Sequence, residues 1–209
     1  VAKKFMYARL PMGYMMKLGD DWMWMRSENM SWFWTPYPGM TYNLAARQTG
    51  DPYLKQAGAI QNYMAGYPIA YNTLLPAILL IDPEAEGKLA DTLPLANKTD
   101  YPLSSVQART NWTMGIDSNA AVAHFEAREK MIMDHQHADL GSFQLYYKGY
   151  LAINADTYAG TSGGWGSSHW YNYYSRTIAH NCMTVYDPSE EYYVDYHNKT
   201  GEKLSNDGG

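Results

Sequence analysis

Three histidines in the second half of the sequence have the residue type and spacing of a metal site. His135 and His137 form an H-x-H pair with flanking acids, among them Asp139, and His180 follows later in the run R-T-I-A-H-N. Imidazole nitrogens bind zinc and other borderline metal ions. Histidines with this spacing also occur without a metal, as hydrogen-bonded polar residues or on the surface. The residues alone therefore leave both interpretations open.

A segment rich in glycine and serine lies between these two histidine motifs. Residues 158–168, YAGTSGGWGSS, are interpreted as a long loop over a site, because loops on a rigid scaffold often carry function. The chain also holds 20 Tyr and 7 Trp against 4 Phe. These side chains join an apolar ring face to a polar edge, which suits sugar rings as well as an amphipathic core.

The elements that must position these residues change character along the chain. To about residue 95 the sequence predicts helix: Asp51 is a cap, Pro52 suits the first helical position, and apolar residues recur at helical spacing up to Met64. A second helix is predicted from Ile69 to Ile81, with a break near Pro76. An aromatic-walled loop region is predicted around Trp22, Trp24, Trp32 and Trp34.

From about Pro102 the pattern predicts antiparallel strands, with turn residues between short runs. Lys148-Gly149 predicts a hairpin turn. This turn would pair Tyr147 with Tyr150 and Phe143 with Asn154, and the layer is expected to belong to a sandwich. The predicted strands are Ser105 to Thr110, Ala121 to Arg128, Phe143 to Tyr147, Leu151 to Tyr158 and His180 to Tyr186.

Composition excludes several classes of protein. The 209 residues are 46% hydrophobic, which predicts a packed core rather than disorder. A net charge of −5 without a basic run argues against nucleic acid and polybasic membrane partners. The single cysteine, Cys182, excludes an intrachain disulfide. No signal peptide or transmembrane run is recognised, and because neither end closes a fold we expect the chain to be a fragment.

A longer pattern gives the histidine motifs their family context. The strings DHQHADLGSFQLYYKGYLAINADTY and SSHWYNYYSRTIAHNCMTVYDPSE resemble the central β-domain of the heparinase II/III family of lyases. The resemblance is strong over residues 134–190, extends over 101–209 and is loose over the helical half. It implies an α+β fold: residues 1–100 as the C-terminal end of an α/α toroid, then residues 101–209 as an incomplete antiparallel β-sandwich.

The resemblance implies β-elimination on a uronic-acid polysaccharide, such as heparin, heparan sulfate, chondroitin sulfate or dermatan sulfate. His135 is similar to the family's catalytic histidine. His137 and His180 are similar to ligands of its zinc ion, and Asn154 holds the position of the third ligand. The family has an acid there, and an amide contributes no charge. Asp156, on the same predicted strand face, is the alternative third ligand.

The predicted hairpin restricts how such a zinc site forms. His137 lies six residues before Phe143, about 20 Å away along a straight strand at about 3.3 Å per residue. The ligand set therefore requires residues 134–142 to curl back as irregular backbone, with Gly141 at the bend. We then expect nitrogens of His137 and His180 within about 3 to 4 Å, the span that zinc bonds of about 2.0–2.1 Å allow.

Other parts of the site and its context also follow from the resemblance. Arg176 could meet a substrate carboxylate or sulfate, or form an ordinary salt bridge. Tyr158 and Tyr174 could line the cleft or pack within the fold. The family's tyrosine acid/base is expected outside this sequence, so the chain alone is expected to be inactive. The expected partner is an anionic polysaccharide, with a homodimer left open, and the implied location is the bacterial periplasm or the outside of the cell.

Other interpretations of the same residues remain. An alginate or ulvan lyase of the same fold is open. A cupin-type metalloprotein also uses H-x-H on a β-scaffold, but it generally needs a glutamate shortly afterwards, and only Asp139 is available. A non-catalytic carbohydrate-binding sandwich would explain the aromatic content but not the two histidine motifs.

Overall fold

The protein is described by a computed structural model that covers residues 2–12, 16, 36–64, 79–101, 104–128, 137–154, 164, 166–195 and 200–205. Within these residues the α-helices are α1 (Ala2–Tyr7), α2 (Pro36–Thr49) and α3 (Pro52–Met64). The predicted tryptophan loop lies outside the described residues. So does the predicted second helix, apart from residues 79–81. No helix in the described ranges has the length and apolarity needed to cross a membrane.

The predicted cap of α3 is confirmed. Asp51 Oδ1 accepts hydrogen bonds from the backbone N–H groups of Tyr53 (2.9 Å) and Leu54 (3.2 Å), two donors that have no partner inside the helix. Leu54 is buried where α3 packs on α2 and α1. The buried apolar cluster at this junction consists of Ala2, Met6, Tyr7, Tyr42, Ala46 and Leu54.

The second half of the chain forms an antiparallel five-stranded sheet, as the strand pattern predicts. The strand order follows the sequence order, and the described strands β6 and β7 pair separately as an antiparallel ribbon. The strands are β1 (Ala96–Thr99), β2 (Ser105–Arg109), β3 (Ala121–Glu126), β4 (Phe143–Tyr147), β5 (Tyr150–Ala152), β6 (Glu191–Asp195) and β7 (Thr200–Ser205).

The β4–β5 hairpin turns at Lys148-Gly149 as predicted, but its predicted register is wrong next to the turn. Leu145 pairs with Ala152 in the predicted register, whereas Tyr150 pairs with Tyr146 rather than Tyr147. A bulge between Leu145 and Tyr146 takes up the extra residue. Lys148 has a φ of 54°, and the Tyr147 N–H donates to the Gly149 carbonyl at 2.9 Å. The tight turn therefore shifts the pairing by one residue.

Burial alternates along β3 and β4, but with polar side chains inside. His124 and Glu126 on β3 and Gln144 on β4 are buried, whereas Phe125 and Phe143 are 43% and 44% exposed. The apolar side chains that are exposed to solvent on β3, β4 and β5 are Phe125, Phe143, Leu145, Tyr147 and Leu151. The covered face of this part of the sheet therefore combines these polar side chains with the buried apolar side chains of Val122 and Tyr146.

The predicted strand from His180 to Tyr186 is wrong. Residues Thr177–Ala179 form a 3₁₀ turn, and residues 180–187 are irregular. The Ala179 N–H donates to the Arg176 carbonyl and the His180 N–H to the Thr177 carbonyl, both at 3.0 Å. These local bonds use the backbone groups around His180 that a strand ladder would need.

The chain divides into two compact units. Unit 1 comprises residues 1–15, 23–97 and 107–122, and unit 2 comprises residues 16–22, 98–106 and 123–209. Unit 1 holds α2, α3 and the apolar cluster described above. Unit 2 holds β4, β5, the ribbon and a small buried cluster of Trp170, Tyr174 and Ala179.

Candidate functional site

A series of buried charged side chains begins on the part of β3 that belongs to unit 2. His124 Nε2 lies 2.9 Å from Glu126 Oε2, and Arg128 Nε donates to Glu126 Oε1 at 3.1 Å. Arg128 Nη2 forms an ion pair with Asp139 Oδ1. Residues 124 and 126 share one face of β3 because side chains alternate along a strand, and Arg128 follows two residues after the strand ends. The series therefore runs from the strand to the segment that carries His137.

Several opposing contributions determine the pKa of the Asp139 carboxyl. Burial raises the pKa of the Asp139 carboxyl, and Glu126 raises it further, while Arg128 and His137 act in the opposite direction. Its pKa lies above the ordinary value as a net result. Because Asp139 is two residues from His137, the Arg128 ion pair fixes the backbone next to that histidine.

His137 and His180 come together in the interior of unit 2. Their ring centroids lie 5.1 Å apart, and both side chains are buried. The Ala138 N–H donates to the Ser175 carbonyl at 2.8 Å, and Thr177 Oγ1 donates to the Ala138 carbonyl at 2.9 Å. These two bonds join the irregular segment that carries His137 to the turn before His180.

His180 is held in the form that can donate an electron pair. Burial, followed by repulsion from His137 and Arg128, lowers the pKa of His180 to about 3, although the Tyr174 backbone acts in the opposite direction. The ring is therefore neutral at physiological pH. Its nitrogens Nδ1 and Nε2 are buried, and neither makes a hydrogen bond of normal geometry within the described residues. A neutral imidazole with a nitrogen lacking a hydrogen is the form that binds metals.

Asn154 is placed next to the same segment. The Asn181 side-chain amide donates to the Ile153 carbonyl at 2.8 Å, so the neighbours of His180 and Asn154 are bonded to each other. The Asn154 amide is almost completely buried, and neither its Oδ1 nor its Nδ2 has a hydrogen-bond partner in the described part of the chain. Buried amides without partners cost free energy, which a ligand would recover.

These groups fit a metal ion in part. Two imidazoles on one tetrahedral zinc, with bonds of about 2.0–2.1 Å, have ring centres about 5 Å apart, which matches the observed pair. Among the residues that the structure describes, however, no three His, Cys, Asp or Glu side chains lie close enough to hold a metal. A third protein ligand from the described residues would have to be an amide such as that of Asn154.

Comparison with known proteins gives this region a family. Residues 112–202 match the family model described as heparinase II/III-like, C-terminal. This segment is a heparinase II/III-like domain. It contains β3, β4 and β5, the charged side chains on β3, and both buried histidines.

One solved structure similar to this chain is a heparinase III with methylated lysines. The two share 15% sequence identity with a TM-score of 0.46, and the match covers 90% of this chain. The chain spans 25% of the length of that heparinase III. No curated protein matches the chain.

The other predicted site residues of the heparinase II/III-like domain have different placements. His135, Tyr158 and the alternative ligand Asp156 lie outside the described residues. Arg176 is partly buried at the start of the 3₁₀ turn. Tyr174 is completely buried, with its ring 6.4 Å from that of His137. Its observed contacts are therefore with protein groups, and the substrate roles of these residues remain predictions.

Sequence reasoning missed most of the charged series in the heparinase II/III-like domain. His124, Glu126 and Arg128 are not among the site residues that the sequence predicted. A signal was available, since H-x-E-x-R places three titratable groups on one face of a predicted strand. A buried strand face with charges requires partners, so this alternation indicates an ionic interior.

Proposed function

We propose that this chain is part of a polysaccharide lyase that cleaves a uronic-acid polysaccharide by β-elimination, with a zinc ion bound by His137, Asn154 and His180. The observation that carries the proposal is the buried His137–His180 pair, 5.1 Å between ring centroids, within a heparinase II/III-like domain. The proposal includes an α/α toroid and a complete β-sandwich around the described sheet. It also includes a periplasmic or secreted location.

Elimination needs three events at the uronate ring. The C5 proton leaves to a base, the C4–oxygen bond breaks with its electron pair on the departing sugar oxygen, and a C4–C5 double bond forms. The C5 proton is only weakly acidic, so the negative charge that develops beside the carboxylate must be stabilised as well as the proton removed. We assign His135 to the cleft where this occurs, two residues along the chain from His137.

The buried side chains would set up that cleft in distinct ways. His180 stays neutral and presents a nitrogen lone pair, because burial holds its pKa at about 3. The Asn154 Oδ1 atom is an acceptor without a partner in the described residues. Arg128 fixes Asp139 and thereby the backbone that leads to His137. A bound zinc ion would supply positive charge that organises the cleft, while the protein residues orient the substrate.

Zinc content tests the metal part of the proposal on the 209-residue chain itself. We expect about one zinc per chain by elemental analysis after purification with zinc and dialysis, falling to background in His137→Ala and in His180→Ala. The exposed His169 provides a matched control, and His169→Ala should retain the zinc. Zinc in the double variant His137→Ala/His180→Ala at the wild-type level would remove this site from the proposal.

Polymer specificity tests the reaction. The longest polypeptide that contains this sequence would be incubated separately with heparin, heparan sulfate, chondroitin sulfate, dermatan sulfate, alginate and ulvan. The formation of unsaturated uronates would be followed by their ultraviolet absorbance. An absorbance increase with at least one of these, and none with a neutral glucan, is the expected result. His135→Ala should lower turnover by about 10²- to 10⁴-fold, the usual contribution of proton transfer by a positioned side chain. Wild-type turnover in that variant would exclude a catalytic role for His135.

A further inference from the structure

A cavity in unit 1 has no part in the proposed elimination. It has a volume of about 190 Å³ and is formed by α1, α3 and the segments around residues 88–91 and 109–114. All of its lining residues belong to unit 1, whereas His137, Asn154 and His180 belong to unit 2. A cavity of about 150 Å³ holds a benzene molecule, so this one has room for a ring and a substituent.

One wall of the cavity carries a buried arginine, Arg109, and a partly buried one, Arg9. Arg109 Nε donates to the Asn111 carbonyl at 2.8 Å and Nη1 to the Arg9 carbonyl at 3.3 Å, so the two side chains belong to one region. Arg109 is 5% exposed, and its Nη2 atom is buried without a hydrogen-bond partner in the described residues. The wall therefore presents more N–H groups than the surrounding described residues accept.

Positive charge accumulates on this wall, because Arg109 has no carboxylate partner among the described residues. Burial lowers the pKa of Arg109 to about 10, Tyr7 opposes the shift, and Arg9 lowers it further, so the group remains protonated at neutral pH. No described carboxylate forms an ion pair with Arg109. Asp91 is the acidic residue among the described lining residues, and it is exposed. A buried cation without a counter-ion is costly, and an anion would relieve that cost.

Apolar side chains also line the cavity. Ile60, Leu89 and Met114 line it and are 37%, 60% and 45% exposed. Trp112 lies beneath the Arg109 guanidinium, with 4.1 Å from the Arg109 Cζ atom to the ring centroid. Stacking on tryptophan holds the guanidinium plane in place, which prepares it for paired hydrogen bonds to two oxygens.

We propose that this cavity binds a small organic anion, with its carboxylate or sulfate group at Arg109 and Arg9 and its apolar ring against Ile60, Leu89 and Met114. The arginines recognise the oxygens that carboxylates and sulfates share, and the apolar side chains select ligands that carry a ring. The site is independent of the proposed lyase function, since it uses other residues in another unit.

Titration calorimetry on the 209-residue chain tests the site with three ring compounds and one ion. Benzoate and phenyl sulfate are the probes for the two anionic groups, benzyl alcohol is the neutral analogue, and inorganic sulfate lacks the ring. At least one ring anion should bind tenfold or more tightly than both benzyl alcohol and inorganic sulfate. Equal affinities for the ring anions and benzyl alcohol would overturn the arginine contact, and equal affinities for the ring anions and inorganic sulfate would overturn the apolar contact.

Variants test the assignment to these residues. Arg109→Gln should lower the affinity for the ring anion tenfold or more. Arg47→Gln, at an exposed arginine of the same unit, should leave that affinity unchanged. Met114→Trp changes an exposed lining residue and should block the cavity while thermal unfolding stays at the wild-type temperature. Unchanged affinity in Met114→Trp, or in a folded Arg109→Gln protein, would show that the anion binds elsewhere and would overturn the proposal. If Arg109→Gln fails to fold, Met114→Trp decides alone.

Discussion

The side-chain amide of Asn181 is bonded to the backbone carbonyl of Ile153 at 2.8 Å. Asn181 follows His180 and Ile153 precedes Asn154, so one hydrogen bond links the chain neighbours of two proposed zinc ligands. The Asn181 carbonyl in turn accepts the Phe143 N–H at 3.1 Å, which ties the same residue to β4. Asn181 is therefore the point where three segments of unit 2 meet.

Replacing Asn181 by alanine should weaken zinc binding about 10- to 100-fold, the usual effect of removing a group that orients ligands. The reason is positional, because His180 and Asn154 would lose their common support. Competition with a chromophoric chelator measures the affinity. Asn119→Ala, at an exposed asparagine, is the control, and equal zinc affinity in the Asn181 and Asn119 variants would contradict the prediction.

Replacing Arg128 by methionine should destabilise the protein by about 3–5 kcal/mol, because Glu126 and Asp139 would remain buried without their cation. Urea unfolding measures the change. The triple change Arg128→Met, Glu126→Gln and Asp139→Asn should recover part of the loss, since no net charge then remains on these three residues. Lys98→Met breaks the exposed Lys98–Asp100 pair and should have no measurable effect. An equally small effect of Arg128→Met would show that the ionic series is unimportant for stability.

Asp51 should make stability depend on pH in the acid range. Burial alone would raise the pKa of Asp51, but hydrogen bonds from Lys3, Leu54 and Tyr53 outweigh it, and the pKa lies below its usual value. A depressed folded-state pKa gives stability that is present above the unfolded pKa of about 3.9 and is lost as pH falls through the folded value. The stabilising interactions are therefore those of the ionised carboxylate.

Two variants separate the charge of Asp51 from its role as a cap. Asp51→Ala should cost about 1 kcal/mol at neutral pH, the usual loss for a helix cap. Asp51→Asn retains an acceptor for the Tyr53 and Leu54 N–H groups and should cost less. The difference between wild type and Asp51→Asn should vanish in acid, as followed by urea unfolding across that range. A difference that stays constant with pH would rule out the carboxylate as its origin.

Lys148 has a left-handed backbone conformation, with a φ of 54°, at the β4–β5 turn. Lys148→Gly should stabilise the hairpin by up to about 1 kcal/mol. A side chain in this backbone region costs the folded state about 1–2 kcal/mol, and the greater entropy of glycine in the unfolded state offsets part of the gain from removing it. Lys148→Val should destabilise it, because branched side chains tolerate this region least. Thermal unfolding would show the order Gly, Lys, Val, and a reversed order would contradict the turn conformation.

Local sequence patterns predicted some elements closely. The predicted ends of β4 match, because alternation within five residues and the following Lys-Gly turn are local signals. The Asp51 cap is likewise a property of a few adjacent residues. The register near Tyr146 was wrong because a bulge depends on how the turn closes, which period-two alternation does not encode.

The approach of the two histidines required long-range information. Spacing identified His137 and His180 as candidates, but hydrogen bonds from Ala138 to Ser175 and from Thr177 to Ala138 bring their segments together. The same bonds explain why a strand was predicted wrongly at His180, where β-propensity yielded to local turns and contacts between segments. One ionic partner of Arg128, Asp139, was similarly supplied by a segment eleven residues away.

The burial of polar side chains on β3 and β4 has a calorimetric consequence. Around β3 and β4 the fold covers His124, Glu126 and Gln144, while Phe125 and Phe143 already contact solvent in the native state. Unfolding this region newly hydrates polar groups, which lowers heat capacity, and it exposes less additional apolar surface than unfolding a fully apolar sheet face would, which limits the increase. Its heat-capacity increment should therefore lie below the usual value of about 12–15 cal/mol/K per residue. The free energy of unfolding of this region should then vary less steeply with temperature than that of a sheet with an apolar interior.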